Sequence, residues 1–175
     1  MSLSIERVRT GSLAPRLHEQ VRALCDAAYG EDLGGYFAAI GPGVHLLGWH
    51  GPALVSHLMW VDRTLYVEGR EPLRSAYVEL VATRKSDQRR RFATRLMERF
   101  ALEIQGYDIG ALSPAETTLY QRLGWERWHG TLSVRTADGI VPTSGEELMV
   151  LRLPGSPPID LEAALSVDWR AGEIW

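Results

Sequence analysis

Cysteine is almost missing from this 175-residue sequence. Cys25 stands alone, which excludes an intramolecular disulfide and any cysteine-based metal site. No stretch of about 18 apolar residues occurs, and the opening MSLSIERVRTGSL lacks the apolar segment of a signal peptide. A cytoplasmic protein with no membrane partner is therefore expected. There is no GxSxG elbow, no P-loop and no GxGxxG, so hydrolase, NTPase and dinucleotide-binding readings lose their usual support. The five histidines (His18, His45, His50, His57, His129) include no HExxH-type pair, and no metal site is expected. Neither sign of charge dominates. With 19 basic and 22 acidic side chains the net charge is −3, which argues against a general nucleic-acid binder. A mild acidic excess suits a small cationic substrate.

What is present is ordinary for a soluble globular chain. Hydrophobic residues make up 45% and charged residues 23%, enough for a substantial core in one domain spanning residues 1–175. The pattern predicts strands over Leu3–Val8, Val44–His50 and Ala53–Val61, with Leu65–Val67 continuing the last or adding another. Helices are predicted over Pro15–Tyr29, with Leu17, Val21, Leu24 and Ala28 on its apolar stripe, and over Tyr36–Ile40. Later come a strand over Asp108–Leu112, a helix over Pro114–Leu123, a strand over Trp125–Arg135 broken at His129-Gly130, a turn at Ala137–Gly139 and a strand over Leu148–Leu153. No repeat or linker interrupts the series. The order suggests a mixed sheet with helices packed on it, not a doubly wound parallel sheet. The tail Leu161–Trp175 stays apolar and aromatic to its last residue, which points to a docked segment.

The stretch from Ser75 to Met97 carries the chemistry. A strand is predicted over Ala76–Ala82, followed by a polar turn at Arg84–Asp87 and a helix beginning near Gln88 with Ser86 or Asp87 as its N-cap. Phe92, Leu96, Phe100 and Ile104 recur at four-residue spacing and read as core. Arg89, Arg90 and Arg91 then fall in the first helical turn, where the helix dipole favours negative charge. Three cations there suit a bound anion, so strand, loop, helix start and arginines together describe a phosphate cradle. A solvated arginine face is the plainer alternative. Glu79 lies inside an otherwise apolar strand, and such a carboxylate is either satisfied structurally, a general base or a cation anchor. Tyr120, between Leu119 and Leu123, reads as core with its hydroxyl at the rim.

Gln88-Arg89-Arg90-Arg91-Phe92-Ala93, with the strand before it and the helix after it, resembles the acetyl-CoA-binding segment of the GNAT superfamily, whose pattern is Gln/Arg-x-x-Gly-x-Gly/Ala. Gln88 and Ala93 match, and Arg91 replaces the first glycine. Tyr77-Val78-Glu79, Gly110–Ser113, Leu119-Tyr120, Gly124-Trp125, Trp128-His129-Gly130 and the terminal Asp168–Trp175 are similar to the aminoglycoside 2′-N-acetyltransferases within that superfamily. The likeness spans nearly the whole chain and is weakest between Arg135 and Ser166.

The resemblance implies an α+β fold with a mixed, mostly antiparallel central sheet flanked by helices and a splay between its two central strands. It implies acetyl-CoA as cofactor, with Val81 and Thr83 offering backbone to the pantetheine arm and Gln88, Arg89, Arg90, Arg91, Phe92, Ala93 and Thr94 holding the pyrophosphate. Glu79 becomes the base, acting through water, and Tyr120 the acid for the departing thiolate. Asp32, Ser113, Glu146 (or Glu147), Asp168, Glu173 and the α-carboxylate of Trp175 become an acidic site, with Glu79, for a cationic amino sugar. A homodimer is what the family suggests. The loop Glu31–Tyr36 is shorter than the family's, so a smaller amino-sugar antibiotic such as kasugamycin fits the same chemistry. Two other readings are an acetyltransferase for a polyamine or other small amine, and a non-catalytic drug- or coenzyme-binding protein.

Overall fold

The computed structural model describes residues 3–175. The chain forms two compact units, Met1–Val61 with Val78–Phe100 and Asp62–Tyr77 with Ala101–Trp175. Its strands are β1 (Leu3–Arg9), β2 (Val44–His50), β3 (Ala53–Val67), β4 (Leu73–Thr83), β5 (Ile109–Leu112), β6 (Glu126–Arg127), β7 (Leu132–Thr136), β8 (Gly139–Pro142), β9 (Met149–Arg152) and β10 (Leu165–Asp168). Its helices are α1 (Pro15–Tyr29), α2 (Gly34–Ile40), α3 (Phe92–Glu103) and α4 (Thr118–Arg122). No helix among the described residues is long and apolar enough to cross a membrane.

In the first unit β1 pairs with β2 and β2 with β3, all antiparallel, with a bulge at Gly48/Trp49. Gly51-Pro52 makes the turn between β2 and β3. On α1, Val21, Leu24 and Cys25 face the core, Pro15 is accepted in the first turn, and Gly30 ends the helix at φ 81°, where a side chain would be strained. Phe92, Leu96, Met97 and Phe100 are the buried stripe of α3, and Trp60 meets Phe100 edge to face at 5.3 Å.

Polar groups also run through this core. Thr10 Oγ1 accepts the Gly43 N–H at 2.9 Å and donates to the Gly43 carbonyl at 3.1 Å. Its hydroxyl proton is then spent, so His45 Nε2–H must donate to it (2.9 Å). By the same logic His57 Nε2–H donates to His45 Nδ1 (2.9 Å), and Cys25 S–H donates to His57 Nδ1 (3.3 Å). A chain polarised in this direction satisfies every ring nitrogen with both imidazoles neutral. Burial, with His18 nearby, lowers the His45 pKa to about 4, and burial holds His57 well below its ordinary value. Burial pushes the Cys25 thiol up to about 12. These groups serve as satisfied core. Nothing in the sequence spacing brings His45, His57 and Cys25 together; β2, β3 and α1 do.

The strand order is β6-β9-β5-β4-β3-β10-β7-β8, with β1 beside β2 and β2 beside β3. β10 pairs with β3, β5 with β9, β6 with β9 and β7 with β8 antiparallel, while β10 pairs with β7 parallel, so the mixed, mostly antiparallel sheet flanked by helices is found as expected. Arg74 and Asp108 fasten the start of β4 to the residues entering β5 through reciprocal bonds at 2.7 and 2.9 Å. Trp128-His129-Gly130 explains itself here. The indole donates to Ala163 O, the next two amides to Leu161 O, and a Cβ on Gly130 would come within 1.8 Å of Ala163 O. The tail is docked as anticipated: Trp175 is 4% exposed and its indole donates to Thr143 Oγ1 at 2.8 Å.

Several boundaries differ from the sequence expectation. Of the two readings of Leu65–Val67, continuation of Ala53–Val61 is the one found, in a single strand β3. The helix expected over Pro114–Leu123 is only Thr118–Arg122, and β8 and β10 were not foreseen. β8 is exposed throughout and so has no apolar alternation to reveal it. The largest difference is the start of α3. Gln88 is extended, and Arg89 and Arg91 have φ of 63° and 62°, so the helix begins at Phe92 instead of Gln88. Neither Ser86 nor Asp87 is its N-cap; Lys85–Asp87 form a separate 3-10 turn.

Candidate active site

Arg89 and Arg91 are the only non-glycine residues with positive φ among the described residues, and Arg90 between them is not one. Left-handed residues in a turn allow neighbouring N–H groups to face one side, an arrangement able to bind an anion. Arg91 O accepts the first helical bond, from Arg95 N at 3.1 Å, so the amides that open α3 continue the arrangement. The three arginines therefore lie in this loop ahead of the helix and not in its first turn.

Their side chains divide the work. Arg90 is drawn back onto Asp87 Oδ1 at 2.6 Å, onto His50 at 3.3 Å and over the Phe92 ring at 4.8 Å. Asp87, 3% exposed, also accepts Arg84 Nε at 2.5 Å and Ser86 Oγ at 3.2 Å. Arg84 first, together with Arg90 and Ser86, holds its carboxyl below the usual range. Asp87 thus anchors the loop from beneath, which its place in a charged run did not reveal. Arg89 and Arg91 are exposed. Ala93 and Thr94 are half-buried beside the buried Phe92. Thr83 Oγ1 lies 2.8 Å from Ser56 Oγ, at the strand end that leads into the loop.

Along β4 in the first unit, Glu79 is half-buried, as an acid on the rim of an apolar strand should be. Its Oε2 accepts the Tyr36 phenol at 2.8 Å, and the same hydroxyl lies 3.4 Å from Glu79 O. Two residues on, Tyr29 Oη is 3.3 Å from both Val81 N and Val81 O, so the backbone groups assigned to the pantetheine arm are engaged by a phenol here. Neither tyrosine was singled out in the sequence, because an aromatic at a helix end carries no motif. Asp32 is exposed and binds Gly34 N at 2.8 Å and Arg22; these contacts, that of Gly34 foremost, lower its pKa.

The second unit holds the other candidates. Tyr120 sits half-buried on α4, edge-on to Trp125 with centroids 6.0 Å apart. Ser113 is exposed just after β5. Asp168 ends β10, where Tyr66 Oη donates to it at 3.0 Å and Arg135 Nε approaches at 3.8 Å. The bond to Asp168 is the main cause of a raised Tyr66 pKa. Arg63 donates to Ile174 O at 2.5 Å and lies over the Tyr77 ring at 4.8 Å, clasping the tail. Glu173 and Glu146 are exposed, whereas Glu147 pairs with Arg127. Among the described residues no group of three or more His, Cys, Asp or Glu is placed to hold a metal ion.

A strand leading into an anion-binding loop and an amphipathic helix, beside a strand-borne carboxylate, defines an acyltransferase architecture. The model for the acetyltransferase (GNAT) domain matches residues 16–128, and the chain belongs to that family: it is an acetyl-CoA-dependent N-acetyltransferase. Over 177 residues it is 33% identical to the aminoglycoside 2′-N-acetyltransferase of Mycolicibacterium fortuitum, covering 96% of this chain and 90% of that protein. Eis1 from Mycobacterium abscessus shares the fold at TM-score 0.60 and 18% identity over 74% of this chain, which spans only 32% of Eis1. A GNAT family acetyltransferase from Brucella melitensis, solved in complex with acetyl-CoA, shares it at TM-score 0.60 and 13% identity, covering 90% of this chain and 92% of that one.

Proposed function

We propose that this enzyme transfers the acetyl group of acetyl-CoA to the 2′-amino group of an aminoglycoside-type antibiotic, inactivating the drug. The observation that carries this reading is the 33% identity, sustained over 96% of the chain, to an enzyme of that name. The amide-lined loop at Gln88–Thr94 fits a pyrophosphate: its backbone is already turned for an anion, and two exposed guanidiniums stand on it. Acetyl-CoA supplies an activated thioester there. Val81 and Thr83 offer strand backbone to its pantetheine arm.

The chain's own residues handle the protons. An ammonium cannot attack a thioester, so Glu79, through a water, takes a proton from the substrate amine. Tyr120 gives a proton to the departing sulfur. Asp32, Ser113, Glu146, Asp168, Glu173 and Trp175 supply the acidic and polar surroundings that a polycation requires.

Kanamycin A and kanamycin B differ at the 2′ position, hydroxyl against amine, and thiol release from acetyl-CoA with each tests the reading directly. Turnover of B and not A is expected. Equal turnover of both would move the acetylated amine elsewhere on the sugar, and kasugamycin in the same panel tests whether the short Glu31–Tyr36 loop selects a smaller drug. Turnover of spermidine alone would make the enzyme a polyamine acetyltransferase.

A further inference from the structure

The loop between α1 and α2 is built more firmly than its glycines and acids suggest. Asp26 Oδ1 accepts the Leu33 N–H and Asp32 Oδ1 the Gly34 N–H, each at 2.8 Å, so the opening amides of α2 are satisfied by carboxylates. Arg22 braces both acids, at 3.6 Å to Asp26 and in direct contact with Asp32. A Cβ on Gly34 would stand 2.6 Å from that guanidinium, so the close packing of Arg22 depends on a residue with no side chain. Gly30 closes α1 in left-handed backbone one residue after Tyr29. The consequence is a fixed position for α2, and with it for Tyr36.

Tyr36 is half-buried, and its hydroxyl bridges Oε2 and the main-chain carbonyl of Glu79. A glutamate has three side-chain torsions to lose, and a free one on a strand rim spreads over many rotamers. A single donor that reaches both ends of the residue selects the rotamers that fold the carboxylate back toward its own strand.

We infer that Tyr36 is a positioning residue for acetyl transfer, one that fixes the carboxylate of Glu79 through its phenol and makes the α1–α2 loop part of the catalytic apparatus. The inference rests on the assignment of Glu79 as base. It places an element that otherwise looks like a drug-contacting loop in direct control of the proton-transfer step.

The experiment is a set of three variants, Tyr36→Phe, Glu79→Gln and the double substitution, assayed with acetyl-CoA and kanamycin B from pH 5 to 9. Acetyl-CoA binding and Tm are measured alongside. Tyr36→Phe is expected to lower kcat about tenfold across the pH range in which the parent enzyme is fully active. The KM for acetyl-CoA should stay within about twofold. In the Glu79→Gln background the second substitution should change kcat less than twofold, because its effect travels through the carboxylate. An acid limb abolished by Glu79→Gln, with kcat unchanged by Tyr36→Phe, overturns the Tyr36 assignment alone. A limb that survives Glu79→Gln overturns the base assignment and the inference with it. Equal losses from Tyr36→Phe in both backgrounds, with a lowered Tm, would make Tyr36 a packing residue.

Discussion

His45 Nδ1 lies 2.9 Å from His57 Nε2, and the two imidazoles are 1% and 0% exposed. Both must be neutral to share that bond and the flanking ones to Thr10 and Cys25, since a protonated ring has no acceptor. Folding therefore lowers the pKa of His45 from an ordinary 6.5 to about 4, with burial the main cause and His18 adding repulsion. The unfolded chain binds protons more readily, and stability falls with pH across that interval. The contribution is present in full above about pH 6.5 and lost below about pH 4. For His45 alone the interval corresponds to roughly 3 kcal/mol, and His57 adds in the same direction. Chemical denaturation at pH 7, 6, 5 and 4.5 should show this loss. In His45→Gln the slope between pH 6.5 and 4.5 should flatten even though the variant starts less stable; an unchanged slope would place the acid sensitivity elsewhere.

Arg91 has φ 62° and Arg89 φ 63°, in a region where a side chain costs about 1–2 kcal/mol. Glycine accepts that backbone freely but gives the unfolded chain more freedom, worth roughly 0.5–1 kcal/mol in the opposite sense. Arg91→Gly should then be neutral to stabilising by up to about 1 kcal/mol, a rise in Tm of roughly 2–4 °C at most. If the guanidinium serves the coenzyme phosphates, the same change weakens acetyl-CoA binding and flattens its salt dependence. Stability and affinity should move in opposite directions. A variant that binds acetyl-CoA as well as the parent would show that the loop works through its amides alone.

The difference between what could and could not be read from the chain is physical. The stripe Phe92, Leu96, Phe100 and the α1 residues Val21 and Leu24 announce themselves because helical periodicity is a local property. The cradle was legible in composition but misplaced in geometry: a run of arginines after Ser86-Asp87 looks like a capped helix start, and only the left-handed φ of Arg89 and Arg91 puts it in a loop. Asp87 reads in the sequence as a candidate N-cap, whereas in the fold it is buried and paired with the arginines on both sides of it. Tyr36 and Tyr29 act on Glu79 and Val81 across 43 and 52 residues of sequence, and the His45–His57–Cys25 chain draws on three separate elements. Contacts of that span leave no pattern that a reading of spacing can find.

Tyr29 gives the sharpest test of the coenzyme assignment. Its hydroxyl is 3.3 Å from both the N–H and the C=O of Val81, the two groups proposed to receive the pantetheine arm. One phenol and one pantetheine amide cannot both hold them, so coenzyme binding must displace Tyr29 from at least one. A neutral hydrogen bond is worth about 0.5–1.5 kcal/mol net, and removing the competitor returns that amount to the coenzyme. Tyr29→Phe should therefore tighten acetyl-CoA binding by roughly two- to tenfold, in calorimetry or in KM, with kcat for the amine little changed. Tm without coenzyme should fall slightly, because Val81 then turns to water. Weaker binding in Tyr29→Phe would mean that the phenol stays in place and contacts the coenzyme itself, and Val81 would lose its assigned role.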